Sequence, residues 1–142
     1  MTRPTYESQI DRDNELSVQI RLEDWGNCEL VKLPMQQYLD WEAWRGDKLV
    51  ALMEYKKRSN KRLQYPTYMV AKKKIDRGMY QASRAGVPFI FVVEWTDGLH
   101  YLKIDIDTPV TYGSGGRSDR NDRFDQEKMC YFETHLFKKI GA

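Results

Sequence analysis

Long apolar runs, histidine and cysteine are scarce in this sequence, and each scarcity removes a class of protein. No apolar stretch approaches the roughly 18 residues that would suggest a membrane span. The opening MTRPTYESQ has no apolar segment of the signal-peptide kind. A cytoplasmic protein with no membrane partner is the expectation. The two cysteines, Cys28 and Cys130, lie far apart without C-x-x-C spacing, so neither a zinc site nor a dithiol redox motif is signalled, and two structural thiols are expected. The two histidines, His100 and His135, have no partner at metal-ligand spacing and read as packed or surface residues.

What is present is a charge imbalance hidden by a small total. The net charge is +2, yet Lys56, Lys57, Arg58, Lys61, Arg62, Lys72, Lys73 and Lys74 form a segment without an acidic residue, which leaves −6 for the remainder. A focused basic segment interleaved with Tyr65 and Tyr68 is the footprint expected for a phosphate backbone, with Lys57, Arg58, Lys61, Arg62, Lys72 and Lys73 as the contacts. The bland alternative is a solvated surface face. The length, 142 residues, suits one domain over residues 1–142, with 41% apolar residues available for its core.

Periodicity and punctuation give the organisation. Thr5 can cap a helix reaching about Trp25, stopped by Gly26-Asn27, although Leu16, Val18, Ile20 and Leu22 also alternate as a strand would. Strands are expected at Cys28–Leu33, Gln37–Trp44 and Lys48–Lys56, the last two joined by a tight turn at Arg45-Gly46-Asp47. Tyr68–Ala85 reads as a helix closed by Gly86, followed by strands Pro88–Glu94 and Leu99–Ile106 around Thr96-Asp97-Gly98. The Gly-rich stretch 113–125 reads as a loop before a final segment Met129–Phe137, with Arg117, Arg120 and Arg123 alternating with Asp119, Asp122 and Asp125 as internally paired charges.

The stretch YLDWEAWRGDKLVALMEYKKR sets charge at the end of an apolar strand. Side chains alternate faces, so Val50, Leu52, Glu54 and Lys56 should point one way and Leu49, Ala51, Met53 and Tyr55 the other. The hairpin brings Asp40 toward Glu54. Two converging carboxylates repel unless a cation neutralises them, and hard divalent ions prefer carboxylate, carbonyl and water oxygens. A metal site is implied.

Asp40 followed by Glu54-Tyr55-Lys56 on the next strand resembles the core of the PD-(D/E)XK nuclease superfamily. The flanking KLP, EYKKR, QYPTYMVAKKK and GGRSDRNDRFD segments are similar to small phage and prophage members of it, although Leu39 stands where the naming proline would be. The resemblance implies an α/β, restriction-endonuclease-like core, a mixed β-sheet flanked by helices in αβββαβ order. It implies Mg2+, with Mn2+ as a substitute, held by Asp40, Glu54 and the backbone carbonyl of Tyr55, with Lys56 acting on the attacking water. Glu15 resembles the helix-borne glutamate that completes the metal shell in many members, Glu7 being the substitute if the register differs. Lys74 matches a helix lysine that faces the site in related proteins, with Lys72 and Lys73 beside it as alternatives.

The expected function is therefore a magnesium-dependent DNA endonuclease of the cytoplasm, that of a bacterial host if phage-encoded. Small size and the lack of a separate sequence-reading domain favour structure-directed cutting of branched DNA, for which a homodimer is natural. RNA stays open as a substrate, because phosphate contacts carry little information about the sugar. The rival is a non-catalytic nucleic-acid-binding module that keeps the fold; it should have lost one of Asp40, Glu54 and Lys56, and all three are here.

Overall fold

A computed structural model describes residues 9–34, 39–116 and 126–141. The Thr5 cap, the start of the strand expected from Gln37, and the 117–125 part of the expected loop, with its arginines, lie outside them.

Helix α1 spans Gln9–Gly26. Val18 and Leu22, one turn apart, are buried, whereas Leu16 and Ile20 are 55% and 57% exposed, so the ambiguous alternation resolves as a helix with one apolar stripe. Strands β1 (Glu29–Lys32), β2 (Trp41–Arg45) and β3 (Lys48–Lys57) follow as an antiparallel meander. Next come β4 (Thr67–Ala71), α2 (Lys72–Ala85), β5 (Phe89–Trp95) and β6 (Gly98–Ile104), then β7 (Thr111–Gly116), β8 (Gln126–Glu133), a 3-10 turn at Thr134–Leu136 and β9 (Lys138–Lys139).

The main sheet has the order β1-β2-β3-β5-β6-β9, with β3 and β5 parallel and its other pairs antiparallel. Its α1 face packs Val18, Leu22, Trp41, Met53 and Val92; its other face packs Leu52, Phe89, Phe91 and Trp95 against α2 and a second sheet, β4-β8-β7. β5 is covered on both faces, which is why FIFVV reads as a continuous apolar run.

Three expectations are corrected. Tyr68–Ala71 is a strand and not the first turn of α2: Tyr68 and Val70 point inward and Met69 is exposed, a period of two. Gly113–Gly116 continues β7 rather than lying in a loop, and most of Met129–Phe137 belongs to the strand beside it. The face assignment of β3 fails at its start. Ala43 faces Ala51 and Trp44 faces Leu49, so Val50 is the extra residue of a bulge. Leu49 therefore packs with Leu52, and Val50 packs with Ala51. From Ala51 onward the alternation holds, and Glu54 and Lys56 share the α2 face with Leu52.

Helix α2 buries Ile75, Gly78 and Ala82 on that face. A Cβ on Gly78 would meet the Phe89 ring at 2.6 Å, and that ring is 1% exposed. Gly78→Ala is expected to lower stability by roughly 1–2 kcal/mol in denaturant unfolding, because overpacking exceeds the helix-propensity gain of about 1 kcal/mol. A more stable variant would mean that Phe89 moves aside freely.

Candidate functional site

Pairing between β2 and β3 ends at Trp41 and Met53, while β3 runs on to Lys57 against β5. The β2 side of the last turn of strand is thus left without a strand partner, and Asp40 takes that place. Its backbone N–H donates to Met53 O at 3.0 Å, its carbonyl accepts from Leu33 N at 2.8 Å, and its Oδ2 accepts the Tyr55 N–H at 2.7 Å. The N–H and C=O of one strand residue point to the same side. The Tyr55 carbonyl is therefore turned toward Asp40 and away from β5.

Glu54 is 2% exposed. Lys74, reaching in from the first turn of α2, places Nζ at 2.6 Å from Glu54 Oε1, and Lys56 places Nζ at 3.7 Å from the same oxygen. Burial, and then the charge of Asp40, push the Glu54 carboxyl up to about 7 despite the opposing lysines. Lys56 is held below the usual lysine range by its own burial and by the neighbouring Lys74. For Lys74 burial acts downward, but its hydrogen bond and charge contact with Glu54 outweigh it and leave the group raised. Asp40, Glu54, Lys56 and Lys74 are thus gathered at the carboxyl end of β3.

Among the described residues no cluster of three or more His, Cys, Asp or Glu side chains converges on a point. The oxygens available in this cluster are the Asp40 and Glu54 carboxylates and the Tyr55 carbonyl, all hard donors, and the Glu54 carboxyl is raised first by its burial and then by the charge of Asp40. That donor set fits a magnesium-like ion that keeps several waters. Glu15 stands on the α1 side, with Oε2 at 2.9 Å from Lys32 Nζ and its charge acting on the Tyr55 phenol. Glu7 lies outside the described residues.

The basic segment divides. Lys61 is exposed and has no ion pair among the described residues, and Lys73 is loosely paired with Glu127 at 3.7 Å. Lys72 pairs with Asp76 at 2.6 Å and lies 5.7 Å over the Tyr112 ring, and Lys57 lies 3.7 Å from Glu94. Arg58 lies 4.7 Å over the Tyr68 ring. Arg62 ties the β3–β4 connection down: its N–H donates to Asp97 Oδ1 at 3.0 Å and its Nη1 to Thr134 O at 3.1 Å. Lys72, Lys73 and Lys74 together set three cations at the positive end of a helix dipole, with no acidic residue in that turn. Such a broken local rule is expected where a site uses the charge.

Glu94 was not singled out from the sequence. It accepts from the Tyr55 hydroxyl at 3.3 Å, lies 3.9 Å from Arg21, and its backbone carbonyl accepts the Arg58 N–H at 2.8 Å. It thereby locks the ends of β3 and β5 together beside the site. The available signal was one acid in the otherwise apolar run FIFVVEW.

Among curated proteins no sequence matches this chain. Among solved structures it superposes on Hjc, a Holliday junction resolvase from the archaeal hyperthermophile Archaeoglobus fulgidus, with a TM-score of 0.61 at 11% identity over 91% of this chain and 90% of that one. At that identity the likeness shows the fold, a restriction-endonuclease-like core. Residues 1–140 match the model of the family described as "Phage putative PDDEXK endonuclease", and the chain belongs to that family.

Proposed function

We propose that the protein is a metal-dependent DNA endonuclease, using magnesium or manganese and directed to branched DNA. The observation that carries this reading is the end of β3, where Asp40 is fixed on the Tyr55 N–H while Glu54 is buried between Lys74 and Lys56. Family membership supports the chemistry, and the neighbour described as a Holliday junction resolvase supports branched DNA as the substrate.

Asp40, Glu54 and the Tyr55 carbonyl would hold the ion, which supplies activation of the attacking water and stabilisation of the leaving oxygen. Lys56 would orient that water, accept or relay its proton, and offset the charge gathering on the phosphate. Lys74, at 2.6 Å from Glu54, opposes the rise that burial imposes on that carboxyl and would add positive charge beside the phosphate. Glu15 would complete the ion's shell through water. A homodimer would set two such sites on the two strands of a junction.

The test is incubation with branched, duplex and single-stranded DNA, and with matched RNA, in magnesium, calcium or chelator. Cleavage of branched DNA in magnesium, little in calcium and none in chelator is expected. Full activity in excess chelator would overturn the metal assignment.

Lys57, Arg58, Lys61, Arg62, Lys72 and Lys73 would grip the phosphate backbone, and Lys61 is the cleanest place to test it. Lys61→Glu is expected to weaken binding to all sequences alike and to flatten the plot of log affinity against log salt by about one unit of slope. Unchanged isotherms would move the DNA surface elsewhere. Arg62→Glu is a poor probe, since it breaks the contact to Thr134.

A further inference from the structure

Beside the candidate site lies a cavity of about 470 Å³, bounded by the β3–β4 connection, β4 and the 3-10 turn. Its lining includes Arg58, Arg62, Tyr65, Tyr68 and Trp95, without an acidic residue. Two polar atoms of that lining, Tyr68 Oη and Arg62 Nε, are buried without a protein hydrogen-bond partner. Tyr68 is 4% exposed. Buried polar groups are rarely left unmatched, and an unmatched pair inside a cavity calls for an occupant. Arg62 Nε can only donate, the Tyr68 hydroxyl can donate, and two guanidinium groups set the charge. The complementary ligand is an anion rich in acceptors, for which a phosphate is the fit.

The volume says more. A phosphate alone would leave most of 470 Å³ unfilled. The rim supplies an aromatic face: Tyr65 is 57% exposed, while its backbone carbonyl is pinned by the Thr134 hydroxyl at 2.8 Å. A ring that is open to solvent on a fixed backbone is a stacking platform. The cavity also adjoins the candidate site, because Arg58 lies two residues beyond Lys56 and the charge of Glu54 is felt at the Tyr68 phenol.

We propose that this cavity takes one unpaired nucleotide of the strand to be cut, its phosphate held by Arg58, Arg62 and Tyr68 and its base laid against Tyr65. The inference rests on the nuclease reading for the identity of the ligand. It sharpens the substrate to DNA in which a nucleotide next to the cut is free of its partner, because a paired base cannot leave the stack without an energetic penalty.

The test is binding in chelator, where nothing is cut, of a duplex carrying a single-nucleotide bulge and of the same duplex fully paired. The wild type should prefer the bulged duplex by roughly tenfold, the scale of one base stacked on an aromatic ring. Tyr65→Ala should bring that ratio close to one and Tyr65→Phe should keep it. Replacing the bulged nucleotide by an abasic one, on wild-type protein, should bring it close to one as well. A wild-type ratio near one, or a ratio untouched by Tyr65→Ala or by the abasic strand, would overturn the subsite. Magnesium-dependent cleavage with a ratio of one would leave the nuclease reading standing without the subsite. A tenfold ratio that Tyr65→Ala removes, with no cleavage of any DNA, would keep the subsite and overturn the nuclease.

Discussion

Lys56→Ala is expected to slow DNA cleavage by about 10² or more while leaving folding, metal binding and DNA affinity nearly as they were. The rate scale is that of removing a general acid/base or a charge stabiliser from a site. Two features of Lys56 make it the group to lose. Its ammonium stands 3.7 Å from Glu54, so it borders the proposed ion without being the main counter-charge of the carboxylate. Burial and the nearby Lys74 hold it below the usual lysine range. Lys74→Ala is the contrasting variant. It removes the 2.6 Å contact and leaves a buried carboxylate short of its closest partner, so stability should fall together with rate. Single-turnover cleavage measured beside binding in calcium separates the two effects. A Lys56→Ala protein that cuts as fast as wild type would make Glu54-Tyr55-Lys56 a structural strand end.

The candidate site was legible because it is local. Asp40 and Glu54 are joined by one hairpin, and period-two alternation brings Lys56 onto the face of Glu54 without any knowledge of the rest of the fold. The bulge that leaves Val50 unopposed was hidden, since nothing in KLVAL marks an inserted residue; its effect stops before Glu54, so Glu54 and Lys56 still share a face. The second sheet was hidden for two different reasons. The boundary between β4 and α2 has no capping side chain, Ala71 standing in the cap position, so YMVA merged with the helical pattern after it. In β7 glycines suggested a loop, yet a Cβ at Gly113 would meet the Tyr131 ring at 2.9 Å, so small residues there answer to the neighbouring strand. The cavity could not be read at all, because it assembles Arg58, Tyr68, Trp95 and Thr134 from distant parts of the chain.

Glu54→Gln is expected to remove both the stabilisation by magnesium and a pH dependence that the metal-free protein carries. In the folded chain burial and Asp40 raise Glu54 to about 7 from an ordinary 4.5. A raised carboxyl favours the protonated form, so its contribution to stability is complete below about pH 4.5 and disappears as pH rises toward 7. The amount is about 3 kcal/mol over that window. In Glu54→Gln that fall should be missing, and the difference between the two denaturation curves isolates it from other titrating groups. A divalent cation beside Asp40 and Glu54 acts in the opposite sense, since it favours the ionised carboxylate. Magnesium at a hundred times its Kd should therefore stabilise the wild type by about 2.7 kcal/mol at pH 8, and by less at pH 5 at the same concentration. The Glu54→Gln variant lacks the charge and should show little gain at either pH. If wild type and Glu54→Gln follow the same stability curve from pH 4.5 to 7, Glu54 is not strained by its burial; if both gain equally from magnesium, the ion binds elsewhere.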